Sequence, residues 1–135
     1  MKNKIVVTGG LGYIGSHVTV VLQEQGFDVV VIDNLTNSSI EVLDHISEIT
    51  GTKPTFEQID VRDKQAVSAF FKKHEDVAGI IHFAASKAVG ESVQNPLLYY
   101  ENNINSLVYI LQNIQDRNVG LIFSSSCTVY GQADE

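Results

Sequence analysis

The stretch "VVTGGLGYIGSHV", Val6 to Val18, decides how this chain folds. An apolar, β-branched run enters it, glycines stand at positions 9, 10, 12 and 15, and a helical pattern leaves it. A turn this tight needs residues that tolerate positive φ, and a pyrophosphate approaches the backbone only where no Cβ obstructs it. The helix beginning near Gly12 then points unpaired N–H groups and the positive end of its dipole at the anion. Gly10, Gly12 and Gly15 fit the general dinucleotide fingerprint, and Gly9, Gly12 and Gly15 fit a variant of it with even spacing. Context strengthens both readings, because Asp33 ends the next apolar run at about the expected distance and can accept hydrogen bonds from an adenosine ribose. Its charge would repel a 2'-phosphate, so NAD is expected over NADP. The plainer alternative is a glycine-rich turn that only lets helix and strand pack closely.

Outward from this turn the chain alternates strands and helices. "KIVV" (Lys4 to Val7) and "VVVID" (Val29 to Asp33) read as strands buried on both faces. Between them Ile14, Val18, Val21 and Leu22 suggest one helical stripe, with Gly26 as the stop. Ser39 can cap a helix carrying Val42, Leu43, Ile46 and Ile49, broken by Gly51 and Pro54 before the strand "TFEQI". Asp63 can cap a third helix through Ala66, Val67, Phe70 and Phe71, and "GIIHFA" (Gly79 to Ala84) follows as a strand. Pro96 opens a long helix through Leu97, Ile104, Leu107, Val108 and Leu111, and "LIFSS" is the fifth strand. Right-handed crossovers then imply an α/β fold: a Rossmann-like, doubly wound parallel sheet of strand order 3-2-1-4-5.

A chain of 135 residues supports one domain, burying roughly two-thirds of the surface exposed when unfolded. Hydrophobic residues at 44% and charged residues at 19% argue against disorder across the chain. Sixteen acidic against nine basic residues give a net charge of -7, which disfavours nucleic acid and anionic membrane partners. The single Cys127 cannot form an intrachain disulfide, and Met1 leads into "KNKIVVTGG" without a signal-like apolar stretch. A cytoplasmic protein is the expectation. The histidines His17, His45 and His74 show no ligand spacing with one another or with Cys127, so no metal is expected. His82, within an apolar strand, reads as a core histidine with its hydrogen bonds met.

Four blocks, "TGGLGYIGSH", "IDNLTNSS", "HFAASKAVGESVQNPLLYYENN" and "FSSSCTVYG", in this order, resemble the N-terminal part of the UDP-hexose 4-epimerases within the extended short-chain dehydrogenase/reductase family. The resemblance implies that Gly9, Gly12, Tyr13, Ile14 and Gly15 meet the pyrophosphate of NAD and that Asp33 holds the ribose. It puts Asn34, Asn37 and Ser38 in the polar loop beside it, and Asp60 and Val61 against adenine. Phe83, Ala84, Ala85 and Lys87 would lie under the nicotinamide half, with Asn102 an inward amide on the long helix. Ser124 and Ser126 would stand near nicotinamide and sugar, Ser126 as a catalytic and substrate-contacting hydroxyl. The implied activity interconverts UDP-glucose and UDP-galactose by transient oxidation at carbon 4, in an enzyme expected to be a homodimer when full-length.

In that family a tyrosinate takes the hydroxyl proton, with its pKa lowered by a lysine four residues later on the same helix face. Here Tyr13, Tyr99, Tyr100, Tyr109 and Tyr130 are followed at that distance by His17, Asn103, Ile104, Asn113 and Asp134. The resemblance implies that the catalytic tyrosine and lysine belong to the helix that would come next, beyond Glu135. The expectation is therefore an incomplete NAD-binding domain over 1–135, lacking the C-terminal substrate region and inactive alone. Rival readings are a fragment of another sugar-nucleotide epimerase or dehydratase, and a non-catalytic dinucleotide-binding module. Dehydratases of this kind set an acidic pair after the strand-end hydroxyl, and "SSSCTVYG" has none. On bland readings Lys87 is a solvated loop cation, and the serines at 124 to 126 only cap a strand end.

Overall fold

β1 (Lys4–Thr8) and β2 (Asp28–Asp33) lie side by side in parallel, Lys4 opposite Asp28 and Thr8 opposite Ile32, flanking the glycine turn. A computed structural model describes residues 3–85 and 93–126 of the chain. Between and after these strands run α1 (Tyr13–Glu24), α2 (Val42–Thr50), β3 (Thr55–Gln58), α3 (Lys64–Lys73), β4 (Val77–His82), α4 (Pro96–Ile114) and β5 (Gly120–Phe123). The sheet is parallel throughout with order β3-β2-β1-β4-β5, as the alternation of elements implies. Chain direction across the sheet reverses between β1 and β4, which opens a crevice at the carboxyl ends of those strands.

Successive strand residues point to opposite faces, so each strand feeds two cores. Val6, Val30, Ile32 and Ile80 meet Phe70 and Phe71 of α3 and Ile110 and Ile114 of α4 on one side. On the other side Val7, Val29 and Val31 meet Leu11 and the α2 residues Leu43 and Ile46, with Val20 and Leu22 of α1 packed against them. Both faces being covered explains why the inner strands read as continuous apolar runs. Helix ends follow their local chemistry. The Asp63 carboxylate accepts from the N–H groups of Gln65 and Ala66, Pro96 takes the first position of α4, and Gly26 and Gly51 follow helix ends at φ +83° and +74°. Ser39 does not cap α2: Glu41 holds the N-cap position without a side-chain cap, and the Ser39 hydroxyl accepts from Glu41 N–H in the turn that precedes the helix.

Two helices present a different face from the one their apolar periodicity suggests. In α1 the buried residues are Gly15 and Thr19, whereas Ile14 and Val21 are about half exposed. The side toward the sheet must approach closely, and small residues meet that need better than large apolar ones. In α4 the buried residues are Tyr99, Ser106, Ile110 and Ile114, and Leu97, Ile104, Val108 and Leu111 face outward. In α2, Ile49 is likewise exposed. Among the described residues no helix is long and apolar enough to cross a membrane.

Candidate dinucleotide site

β1 ends at Thr8 and the chain turns at once through Gly9, whose φ is +68°. Gly9 N–H donates to the Ile32 carbonyl at 2.7 Å, and its carbonyl accepts from Gly12 N–H at 3.1 Å, which closes the turn against β2. A Cβ on Gly9 would stand 3.0 Å from Ala84 N and 3.2 Å from the Phe83 carbonyl carbon, so two crevice walls touch here with nothing to spare. A Cβ on Gly15 would collide with the Gly9 carbonyl, because α1 packs directly on the turn. Gly10 is turned inward, where a Cβ would meet Val31 Cγ1 at 2.7 Å. The structure thus separates the two glycine spacings: Gly9, Gly12 and Gly15 line the crevice, and Gly10 packs behind it.

Gly12 is the N-cap of α1 and contributes no capping side chain. The first N–H groups of a helix have no partner within it, so those of Tyr13, Ile14 and Gly15 offer an anion donors and the positive end of a dipole. Tyr13 is 84% exposed, with its ring 4.9 Å from that of His17, whose Nδ1 donates to the Tyr13 carbonyl at 2.7 Å.

Asp33 closes β2 and is buried. Its Oδ2 accepts from Leu11 N–H at 3.1 Å, and its Oδ1 accepts from Leu35 N–H at 2.9 Å and from the Ser38 hydroxyl at 2.7 Å. These bonds fix the carboxylate in the crevice wall, and Oδ2 keeps a lone pair for a further donor. Leu35 holds φ +62° within this loop, a conformation that costs a branched residue energy and is found where surroundings impose it. Farther along, Arg62 grips Asp60 through Nε at 2.9 Å and Nη2 at 2.5 Å, and Asn34 adds a longer contact at 3.5 Å. Hydrogen bonding from Arg62 outweighs partial burial and pulls the Asp60 carboxyl down to about 2, so it can only accept.

These groups surround one crevice of about 380 Å³. Gly9, Gly12, Tyr13, Ile14, Gly15, Asp33, Asn34, Asn37, Ser38, Asp60, Val61, Phe83, Ala84, Ala85 and Asn102 all line it. Asn102 is half-buried rather than enclosed. Ser124 and Ser126 stand outside this lining on an exposed segment after β5, where Ser124 N–H donates to the His82 carbonyl at 3.1 Å. Lys87 lies outside the described residues, as does Glu135. Sequence reasoning missed Ile32, Thr36, Ile59, Arg62, Asn103 and Ser106. One signal was available: Asn102, Asn103 and Ser106 stand three and four residues apart, on one side of the long helix. Among the described residues no group of His, Cys, Asp or Glu has the geometry of a metal site.

A parallel sheet of this order, with a glycine turn feeding an uncapped helix and an acid ending the second strand, defines a dinucleotide-binding Rossmann protein. The sequence profile of the NAD dependent epimerase/dehydratase family matches residues 5–135, and the chain belongs to that family. It is 49% identical over 131 residues to the UDP-glucose 4-epimerase uge1 of Schizosaccharomyces pombe, which covers 96% of this chain and 37% of the relative. The UDP-glucose 4-epimerase of Bacillus subtilis is 48% identical over 128 residues, 94% of this chain and 38% of the relative. Among solved structures, a UDP-glucose-4-epimerase from Stenotrophomonas maltophila with bound NAD and formylated UDP-arabinopyranose superposes with a TM-score of 0.87 at 47% identity, over 98% of this chain and 39% of that one. This chain thus spans less than two-fifths of the length of these relatives.

Proposed function

We propose that the chain is the NAD-holding part of an enzyme that interconverts UDP-glucose and UDP-galactose. The observation that carries the reading is the crevice itself, in which side-chain-free backbone at Gly9, Gly12 and Gly15 meets the free end of α1 beside Asp33. Its residues fit NAD: a cradle that a Cβ would fill, backbone donors for a diphosphate and a fixed carboxylate for a ribose. Bound NAD would supply a reversible two-electron oxidation at carbon 4 of the hexose. The chain's own part is to bind and orient. Tyr13, Ile14 and Gly15 offer N–H groups to the diphosphate, Asp33 takes the ribose hydroxyls, and Asp60, held as an acceptor by Arg62, faces an amino-bearing base. Phe83, Ala84 and Ala85 wall off the nicotinamide end.

Similarity to UDP-glucose 4-epimerases, some solved with NAD, supports the reaction class. No tyrosine in the sequence has a lysine four residues later, so no activated phenol base of the family's kind is present, and the chain alone binds NAD without epimerising. Pairing of copies belongs to this reading and is supported by the outward apolar row Leu97, Tyr100, Ile104, Val108 and Leu111 on α4. A crystal structure with NAD, together with an assay of UDP-galactose conversion, tests the proposal. Dinucleotide seated along the glycine turn is expected. A crevice left vacant or filled by protein overturns the cofactor role, and turnover by chain free of full-length enzyme overturns the claim of inactivity.

A further inference from the structure

The last rung of the β1–β4 ladder pairs Thr8 with His82, and both side chains are buried, at 1% and 2% exposure. Thr8 Oγ1 lies 2.6 Å from His82 Nδ1 and accepts from Ala84 N–H at 3.3 Å, while the Thr8 carbonyl accepts from Phe83 N–H at 3.0 Å. We propose that His82 is a positioning residue, whose Nδ1 accepts a hydrogen bond from the Thr8 hydroxyl and thereby sets the gap between the glycine turn and the Phe83–Ala85 wall. The proposal rests on the NAD reading above.

A backbone N–H can only donate, so Thr8 Oγ1 is the acceptor toward Ala84. Both contacts are met together when the hydroxyl donates a hydrogen bond to Nδ1 and keeps its proton. The imidazole is then neutral, with its hydrogen on Nε2. Burial agrees with a neutral ring, pushing His82 down to about 4. Residues adjacent to the pair form the crevice on both sides, Gly9 following Thr8, and Phe83 following His82. Those walls already touch at the Cβ limit of Gly9, so the length of one hydrogen bond behind them decides whether the crevice keeps its width. Ring stacking of His82 near Phe123, at 6.0 Å and 28°, and the bond from Ser124 N–H to its carbonyl tie β5 to the same point.

Affinity for NAD in isosteric variants tests the role. Thr8→Val removes the hydroxyl, His82→Phe keeps a ring without an acceptor, and His82→Asn restores an acceptor near the Nδ1 position. His82→Asn is expected to bind close to wild type, whereas Thr8→Val and His82→Phe each lose about tenfold, the worth of one buried hydrogen bond. The double variant should lose no more than either single one, because both remove the same bond. Equal affinity in all folded variants overturns the role. Should His82→Phe not fold, the nitrogen-15 spectrum of the wild-type imidazole decides, with a bare Nδ1 and protonated Nε2 expected at neutral pH. The opposite tautomer or an imidazolium overturns the proposal. Wild type that binds no NAD at all overturns the cofactor reading and the role with it. That outcome is distinct from failure of the role alone, in which wild type binds and the variants match it.

Discussion

Asp33 carries three hydrogen bonds from protein donors before any ligand arrives, and each of them assumes a carboxylate with two accepting oxygens. Asp33→Asn turns one oxygen into an amide nitrogen that faces either Leu11 N–H or Leu35 N–H, donor against donor. Loss of a charge-assisted contact to the ribose, at about 1.5 to 3 kcal/mol, should weaken NAD by roughly 10- to 100-fold and shrink its advantage over NADP. Titration of the variant checks this; unchanged discrimination would remove Asp33 from recognition. His82 makes a separate prediction in acid. The native ring takes no proton until about pH 4, while an unfolded histidine titrates near 6.5, so the unfolded form binds more protons between those values. Stability should therefore fall as pH drops from 6.5 toward 4, by up to about 3 kcal/mol from this group. His82→Asn should flatten that part of a denaturant-melt pH series. Asp60 acts in a lower window: its stabilisation is present above 3.8 and lost as pH falls toward 2, and solvent screening keeps it small. Asp33 and the glycines could be read from the sequence because chemistry restricts those positions to few residue types. Arg62 could not, since an exposed arginine beside an aspartate looks like any surface pair.

Elements were easier to recognise than the sides they present. Strand runs, the Asp63 cap, Pro96 and Gly26 each mark a boundary by a local rule that acts whatever the surroundings. Which face of a helix meets the sheet depends instead on how near it must come. α1 lies on the glycine turn, so Gly15 and Thr19 sit inward and larger apolar residues are displaced to the flanks. Gly15→Ala should accordingly overpack against the Gly9 carbonyl, costing about 1 to 3 kcal/mol in denaturant melts and lowering NAD affinity. A fully stable variant with normal affinity would show that α1 can move away freely. In α4 the apolar row from Leu97 to Leu111 faces outward, which periodicity alone does not distinguish from a core face. Ile104→Lys, at a residue 51% exposed, should change the monomer's stability by no more than about 0.5 kcal/mol while reducing association in sedimentation. Unaltered association would place the contact elsewhere.

The sheet as a whole has two cores near its middle and thinner cover at β5, where Ile122 and Phe123 are 62% and 52% exposed. Among the described residues β5 pairs with β4 alone, and an edge strand with exposed apolar side chains offers a surface for association. Low stability and self-association are expected for this chain by itself. A sharply monomeric species melting cooperatively at high temperature would contradict that. The strand order was legible because alternation and handedness leave few topologies, whereas the crevice width depends on contacts between residues as distant in sequence as Gly9 and Ala84. Everything functional rests on that crevice holding a dinucleotide by its diphosphate and one ribose. Calorimetric titration of the chain with NAD and with NADP tests this most directly. Saturable binding of NAD, with NADP at least about tenfold weaker through repulsion of its 2'-phosphate by Asp33, is the predicted result. A preference for NADP, or no binding of either, would contradict it.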